Sequence, residues 1–369
     1  MNRRTQRRIG IVQRVLPAYR VRLFDLLAEA YSGDVSVFAG EGRHEEMIAA
    51  ATPEKVNYFP ANNHHIFRDS FYFCWQSNLL EWLRQWDPDV LILEANPRYI
   101  LSRAAVRWMR AKGGKVIGWG LGAKNIVKDV FGIRRTMRQI FLMQFDAMLT
   151  YSSRGASEYA ALGMNKARIF VAPNAAAPKP THALPERPPQ YRAGKPIVVF
   201  VGRLQKRKKV DVLIRACAQI STNNQPRLWV IGDGPNRNAL QELANNIYPR
   251  TEFFGARHGK DLAQRLKQAD LFALPGTGGL AVQEAMSYGL PVIVGEADGT
   301  QTDLVRAENG WLLANATPDT LSELIDRALG DIESLRKKGE ASFRIVSEEI
   351  NLEAMVKTFQ RVVDEVIDE

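Results

Sequence analysis

Residues 270–295 read DLFALPGTGGLAVQEAMSYGLPVIVG. An apolar run ends at Pro275, a glycine loop follows, and a helical pattern from Leu280 leads into a second apolar run that ends at Gly295. A buried strand, a glycine turn, a helix and another buried strand form a βαβ unit, which is the building block of parallel sheets. The stretch therefore predicts an α/β fold in which helices cover both faces of a parallel sheet.

Short β-rich runs alternate with helical patterns on either side of this stretch, in two series. Residues 174–196 separate the series; they hold six prolines and show no periodicity, which is typical of an interdomain linker. We therefore predict two Rossmann-like domains that face each other across a cleft, because open parallel sheets bind ligands at the carboxyl ends of their strands. The predicted boundaries are an N-terminal domain over 1–175, a linker over 176–196, a second domain over 197–345, and a C-terminal helix over 346–369 that packs back toward the first domain.

Length and composition exclude several classes of protein. With 369 residues, 46% hydrophobic and 24% charged, the chain is too apolar to be disordered and long enough for two cores. No apolar run approaches the roughly 18 residues of a membrane-spanning helix, and MNRRTQRR leads into a strand without a signal-peptide core, so a cytoplasmic protein is expected. Cys74 and Cys217 lack partners at metal-ligand or redox spacing, which indicates buried thiols.

The net charge of +10 is unevenly distributed. Residues 1–185 hold 26 Lys and Arg against 15 Asp and Glu, whereas residues 186–369 hold 24 against 25. Within the first half, residues 98–138 carry eleven basic side chains and one acidic one, Asp129. Such a patch indicates an anionic partner for the N-terminal half, which could be phosphate, nucleic acid or acidic lipid.

Two further clusters suggest a diphosphate site. In IVVFVGRLQKRKKVD, residues 197–211, a buried strand ends at Gly202 and is followed by Arg203 and the run Lys206 to Lys209, which places positive charge at the strand end. In the opening stretch, the loop 276–279 allows close backbone approach, and the helix after it offers free amides to phosphate. Glu284, one turn into that helix, is suited to accept hydrogen bonds from a ribose diol.

These motifs resemble glycosyltransferase family 4, a group of retaining enzymes of the GT-B fold that use nucleotide sugars. The similarity extends through GRLQKRK at 202–208, VIGDGP at 230–235, FFGAR at 253–257, EAMSYGLPVI at 284–293 and Asn309-Gly310. The resemblance implies that Arg203 and Lys208 hold the diphosphate and that Glu284 holds the ribose. The donor-binding residues that it implies are Gly202, Gly232, Phe254, Gly255, Arg257, Gly276, Thr277, Gly278, Gly279 and Leu280.

One position departs from the family pattern. The family has a pair of glutamates separated by seven residues, and the position of the first one is occupied here by Gly276. Glu296 or Asp298, after the next strand, could supply the missing carboxylate; the alternatives are a donor sugar with different hydroxyls and a loss of activity. The sequence lacks an Asp-x-Asp pair in a suitable loop, so we expect no essential metal.

The N-terminal half resembles the family more loosely. The segment 14–28, RVLPAYRVRLFDLLA, is similar to the first loop and helix of some members, which implies that Tyr19 and Arg20 face the cleft. Glu94 and Trp119 end two predicted strands, and we expect both on the acceptor side. His64 and His65 are expected to be surface residues.

The aromatic segment 67–75, FRDSFYFCW, has two interpretations. It could pack a helix onto the sheet, or it could rest on an anionic bilayer together with Arg103, Arg107 and Arg110, which share a helix face.

We expect a retaining glycosyltransferase that moves a hexosyl unit from a nucleotide sugar to a glycan or lipid-linked acceptor in envelope biosynthesis. We expect a cytoplasmic protein without a nucleic-acid partner, and a peripheral position on the inner, anionic face of the membrane is one option. The alternatives are a GT-B sugar-nucleotide epimerase and a non-enzymatic binding protein with a basic N-terminal half.

Overall fold

A computed structural model describes residues 7–32, 34–46, 48, 51–68, 71–123, 132–221, 225–296 and 299–368. The strands in chain order are β1 Ile9–Val15, β2 Val35–Gly40, β3 Asn57–Ala61, β4 Asn63–Ile66, β5 Phe73–Gln76, β6 Val90–Glu94, β7 Lys115–Gly120, β8 Ala147–Thr150, β9 Ile169–Val171, β10 Ile197–Val201, β11 Arg227–Ile231, β12 Thr251–Gly255, β13 Leu271–Leu274, β14 Val292–Gly295 and β15 Gly310–Leu313. The helices are α1 Ala18–Ala30, α2 Leu79–Trp86, α3 Ser102–Ala111, α4 Ile133–Leu142, α5 Ser153–Ala161, α6 Val210–Gln219, α7 Arg237–Ile247, α8 Gly259–Gln268, α9 Leu280–Ser287, α10 Gln301–Leu304, α11 Pro318–Gly330, α12 Ile332–Glu348 and α13 Leu352–Asp368.

The chain divides into two compact units. The first comprises Met1–Ala176 and Leu352–Glu369, and the second comprises Ala177–Asn351. The second unit is thus inserted into the first, and the chain crosses between them twice.

The first unit contains a parallel sheet in the order β3-β2-β1-β6-β7-β8-β9. Val, Ile and Leu fill its central strands, as expected where helices cover both faces. Helix α13 packs against α1, and the ring of Phe359 meets Trp119 edge-on at 5.0 Å between centroids. Strands β4 and β5 form a separate antiparallel hairpin. This hairpin was not predicted, and the segment 67–75 does not pack a helix onto the sheet.

The second unit contains a parallel sheet in the order β12-β11-β10-β13-β14-β15, the strand order of a dinucleotide-binding Rossmann sheet. All of its core residues lie between Ile197 and Ile350.

The expected linker boundaries need correction. Residues 177–196 belong to the second unit, because the guanidinium of Arg187 donates to the carbonyl oxygens of Ala269, Leu266 and Tyr288 at the ends of α8 and α9. Residues 346–351 also belong to that unit, and the helix of the first unit begins at Leu352.

Candidate functional site

The loops after β10 and β11 pack backbone against backbone. Gly232 has φ of +147°, and a Cβ added there would lie 1.9 Å from the carbonyl oxygen of Gly202. Gly234, at φ +158°, similarly meets Leu204, whose amide donates to the carbonyl of Asp233 at 2.8 Å. Glycine is required at both positions, because they combine a left-handed backbone with a contact that leaves no room for a side chain.

These loops enclose a cavity of about 380 Å³ at the carboxyl ends of β10, β11 and β12. It is lined by Val201, Gly202, Arg203, Ile231, Gly232, Asp233, Gly234, Ala256, Arg257 and His258. Three of the predicted donor-binding residues, Gly202, Gly232 and Arg257, therefore lie together with Arg203 at one cavity, which lies entirely within the second unit.

Phe254 and Gly255 lie beside this cavity rather than on its lining. The Phe254 ring packs against Trp229, with 5.4 Å between centroids, and under the guanidinium of Arg265, 3.6 Å from its centroid. Gly255 accepts a 2.8 Å hydrogen bond from the Gly232 amide through its carbonyl oxygen. Gly255 therefore supports the lining residue Gly232 from behind, whereas the Phe254 ring packs on residues outside the lining.

A short 3-10 turn, Lys206–Lys208, follows β10 and brings basic side chains to the same sheet edge. Lys209 adopts φ of +54°, so the chain reverses there into α6. Lys208 is half-buried, and burial together with the neighbouring Arg207 charge lowers the pKa of its ammonium group to about 8. A cation desolvated in this way gains most from a bound anion.

The glycine loop 276–279 packs directly on this turn. A Cβ on Gly276 would lie 2.2 Å from the carbonyl oxygen of Arg207 and 2.5 Å from the Lys208 Cα. The Thr277 amide donates to that same Arg207 carbonyl at 3.0 Å, and the Arg207 side chain donates to Thr277 Oγ1 at 2.9 Å. The backbone of residues 207–208 therefore occupies the space that a side chain at position 276 would need.

Lys208 and the start of α9 face one another. A Cβ on Gly278, which has φ of +150°, would lie 2.4 Å from Lys208 Nζ, so the ammonium group rests against this glycine. Gly279 is the N-cap residue of α9 and has no side chain with which to cap the first amides of the helix. An ammonium group beside the amides of a helix N-terminus makes an anion site.

Glu284 lies on α9, half-buried, and burial raises the pKa of its carboxyl while the charge of His258 opposes that rise. His258 lines the cavity, so this interaction connects Glu284 with the cavity wall. Sequence reasoning did not single out His258. The available signal was its position directly after the FFGAR segment, at the carboxyl end of β12.

Two carboxylates were considered as replacements for the residue missing at Gly276. Glu296 is exposed directly after β14, and its amide donates to the carbonyl of Leu313 at 2.8 Å. Gly295, before it, packs against the carbonyl of Pro275 at the start of the glycine loop, so Glu296 follows a strand that adjoins this loop. Asp298 lies outside the described residues.

In the first unit, Glu94 and Tyr19 lie at the carboxyl edge of the sheet. Glu94 Oε2 accepts a 2.6 Å hydrogen bond from the amide of Arg14, and burial raises the pKa of its carboxyl to about 7. Tyr19, at the start of α1, is exposed. Tyr19 is therefore accessible to a second substrate at this edge, whereas the Glu94 carboxyl is buried.

Trp119 and Arg20 were expected on the same acceptor side, and the structure contradicts this. Trp119 is only 1% exposed, inside the core under α13, and Arg20 is only 4% exposed. The Arg20 guanidinium donates to Asn174 Oδ1 at 2.5 Å and to the carbonyl of Ala175 at 3.3 Å. The Trp119 ring packs against other aromatic rings, and the Arg20 guanidinium bonds to the chain just before it crosses to the second unit. Both side chains therefore point inward, and their roles are structural.

Two structural features are absent from the described ranges of the chain. No three His, Cys, Asp or Glu side chains within those ranges come together in a metal-ligating group. None of the helices within them has the length and apolar character needed to cross a bilayer.

Comparison with known proteins indicates the class of protein to which this fold belongs. Residues 186–344 match the family model described as glycosyl transferases group 1. Over 97% of this chain and 99% of the other, the fold matches the lipopolysaccharide outer core galactosyltransferase WaaB, with a TM-score of 0.68 and 16% identity. The chain therefore has the GT-B fold, and its residues 186–344 are similar to glycosyl transferases group 1, which supports the resemblance to family 4.

Two curated relatives are more similar in sequence over shorter segments. A GDP-mannose-dependent alpha-mannosyltransferase of Mycobacterium tuberculosis is 37% identical over 36% of this chain and 35% of its own length. A GDP-mannose-dependent monoacylated alpha-(1-6)-phosphatidylinositol monomannoside mannosyltransferase of Corynebacterium glutamicum is 32% identical over 37% of this chain and 38% of its own length. The matches thus span little more than a third of each relative.

Proposed function

We propose that the chain is a retaining glycosyltransferase that moves a hexosyl unit from a nucleoside diphosphate sugar to a glycan or lipid-linked acceptor. One observation carries the proposal: Lys208 Nζ rests against Gly278 at the N-terminus of α9, on the sheet edge that also holds the cavity lined by Arg203. In this arrangement the nucleoside occupies the cavity and Glu284 accepts hydrogen bonds from the ribose. The diphosphate lies between Arg203, Lys208 and the amides of residues 277–280.

The chemistry follows from where charge develops. The bond from the sugar C1 to the diphosphate oxygen breaks, and negative charge grows on that oxygen beside Lys208 and the α9 amides. The acceptor oxygen bonds to C1 on the same face, and its proton passes to the departing phosphate oxygen. The configuration at C1 is retained, and neither a protein nucleophile nor an essential metal takes part.

The names of the relatives support the substrate classes. One relative is named for GDP-mannose as its donor, and another for a phosphatidylinositol mannoside as its acceptor. A structural neighbour is a galactosyltransferase of the lipopolysaccharide core. These names favour a hexosyl donor and an envelope acceptor for this chain. They favour glycosyl transfer over a sugar-nucleotide epimerase and over a nucleic-acid-binding protein. Under this proposal the protein works in the cytoplasm, at the inner face of the membrane where lipid-linked acceptors are available.

The test is a panel of nucleoside diphosphates and nucleotide sugars scored by thermal shift, followed by transfer assays with the stabilising donor. Lys208→Ala should weaken diphosphate binding and reduce turnover together, whereas Lys206→Ala, on the exposed side of the same turn, should change both by less than about twofold. Stabilisation by no member of the panel, or unchanged binding in Lys208→Ala, would refute the proposal.

A further inference from the structure

The hairpin of β4 and β5 presents one face to the protein and one to solvent. Along β5 the inward side chains of Cys74 and Gln76 are buried, whereas Phe73 and Trp75 point outward, with Trp75 43% exposed. The Gln76 amide donates to the carbonyl of Gln13 at 3.1 Å, which fixes the hairpin to the end of β1. The outward direction of Phe73 and Trp75 is therefore set by well-anchored inward neighbours.

The chain around Tyr99 extends this exposed face. The Cys74 amide donates to the carbonyl of Arg98, and the Ile100 amide donates to the carbonyl of Cys74, both at 3.0 Å. Ile100 and Arg98 are exposed on the extended face. We define the aromatic face as Phe67, Phe71, Phe73, Trp75 and Ile100.

The two most exposed large apolar side chains of the described residues lie between β4 and β5. Phe67 is 70% exposed and Phe71 is 76% exposed. Phe67 also has φ of +58°, a left-handed backbone that costs free energy for any residue with a Cβ. Exposing large aromatic rings costs solvation free energy as well, and a surface that bears both costs is typical of an interaction site.

Basic side chains follow the aromatic face directly along the chain. Helix α3 begins two residues after Ile100, and its exposed side carries Arg103 and Arg107. Arg110, one turn further, is held by Asp146 at 3.0 Å. Apolar rings beside arginines match the interface of an anionic bilayer, where rings enter the acyl boundary and guanidinium groups meet lipid phosphates.

We propose that the aromatic face, with Arg98, Arg103 and Arg107, binds the surface of an anionic lipid bilayer. A nucleic acid fits less well, because Ile100 cannot stack on a base and Phe67 and Phe71 project from a turn rather than line a groove. The hairpin is fixed at the sheet edge where Glu94 and Tyr19 lie. Binding there brings that edge to the membrane and delivers a lipid-linked acceptor to it; this last step rests on the proposed function.

The experiment is co-sedimentation of the full chain with vesicles of phosphatidylglycerol mixed equally with phosphatidylcholine, and with phosphatidylcholine alone. We expect the protein to sediment with the anionic vesicles and to bind the neutral ones more weakly. The double variant Phe71→Ser and Trp75→Ser should lower the partition coefficient on anionic vesicles by about tenfold or more. Arg103→Glu with Arg107→Glu should abolish the preference for anionic over neutral lipid.

The matched control is Ile247→Ser, which removes an exposed apolar side chain from α7 in the second unit and should leave vesicle binding unchanged. Melting followed by circular dichroism shows that each variant is folded. Failure of the unaltered chain to bind anionic vesicles, or equal binding by the Phe71 and Trp75 variant, would overturn the inference. Binding of a single-stranded oligonucleotide that this variant loses would identify nucleic acid as the partner. No donor is present, so the result is independent of glycosyl transfer.

Discussion

The protonation state of the Lys208 side chain depends on whether a diphosphate is bound. Its ammonium group has a pKa near 8 in the unliganded protein, because burial and Arg207 both disfavour the proton. A diphosphate would favour the protonated form and raise that pKa. Binding is then linked to proton uptake above about pH 8, whereas below that pH the lysine already carries its proton.

The first prediction concerns the pH dependence of donor binding, which follows from this linkage to proton uptake. The dissociation constant of the stabilising nucleotide sugar, whose esterified diphosphate does not titrate in this range, should be flat from about pH 6.5 to 7.5 and should rise above about pH 8, by at most about tenfold per pH unit. Calorimetry in two buffers of different ionisation enthalpy should detect proton uptake at about pH 9 and none at about pH 6.5. Lys208→Arg should remove this uptake, and equal uptake in the variant would assign it to another group.

Gly276 explains the departure from the family pattern. A Cβ at this position would overlap the backbone of residues 207–208, so a glutamate could not be restored without moving the basic turn. The glycine and the turn are thus parts of one arrangement. The sequence revealed the missing carboxylate but not this cause, because the contact joins segments about 70 residues apart.

Gly276→Ala should therefore displace the turn that holds Lys208. We expect a loss of roughly 1–3 kcal/mol in the free energy of unfolding and weaker diphosphate binding, measured by denaturant titration and calorimetry. Gly330→Ala, at the end of α11 and outside the donor site, is the matched control, since a Cβ there meets nothing within 4 Å. Equal effects of both substitutions would show that backbone freedom, rather than the contact with the turn, is what matters.

At the level of elements, buried parallel strands were the most predictable. The runs 115–120 and 251–255 coincide with β7 and β12, because continuous apolar or β-branched runs between turn residues are typical of such strands. The hairpin of β4 and β5 was missed because its outward face is aromatic instead of polar, which removes the alternation that identifies a half-exposed strand. Trp119 was misplaced because a strand end alone does not say which face a side chain occupies.

Helix α13 completes the core of the first unit from the far end of the chain. The Phe359 ring is fully buried against Trp119, so Phe359→Ala should cost about 3–5 kcal/mol in the free energy of unfolding. Thermal melting with tryptophan fluorescence should show the first unit unfolding at a lower temperature. Lys357→Ala, on the exposed side of the same helix, should leave the melting curve unchanged; a comparable shift there would point to helix propensity instead.

At the scale of the whole molecule, each unit has a core of its own. The core of the second unit uses residues between Ile197 and Ile350, and the two clusters of the first unit draw only on residues before 177 and after 351. The domain boundaries were shifted in the sequence-based prediction because proline content marks a lack of periodicity and does not show which core a segment packs against. Arg187 attaches the proline-rich segment to the second unit.

This separation of cores makes a prediction about the isolated second unit. A fragment of residues 177–351 should fold by itself and bind the nucleoside diphosphate with a dissociation constant within about threefold of that of the full chain, since every proposed donor contact lies inside it. Calorimetry on the purified fragment measures this. A folded fragment that does not bind would place essential donor contacts in the first unit.

The inserted arrangement also sets an order of events during synthesis. When the ribosome has finished residue 351, the second unit is complete, but the sheet of the first unit still lacks the helix that covers Trp119 and the buried face of α1. That face stays open to water, and to chaperones, until the final residues leave the exit tunnel. The unit that is made first is therefore the one that matures last.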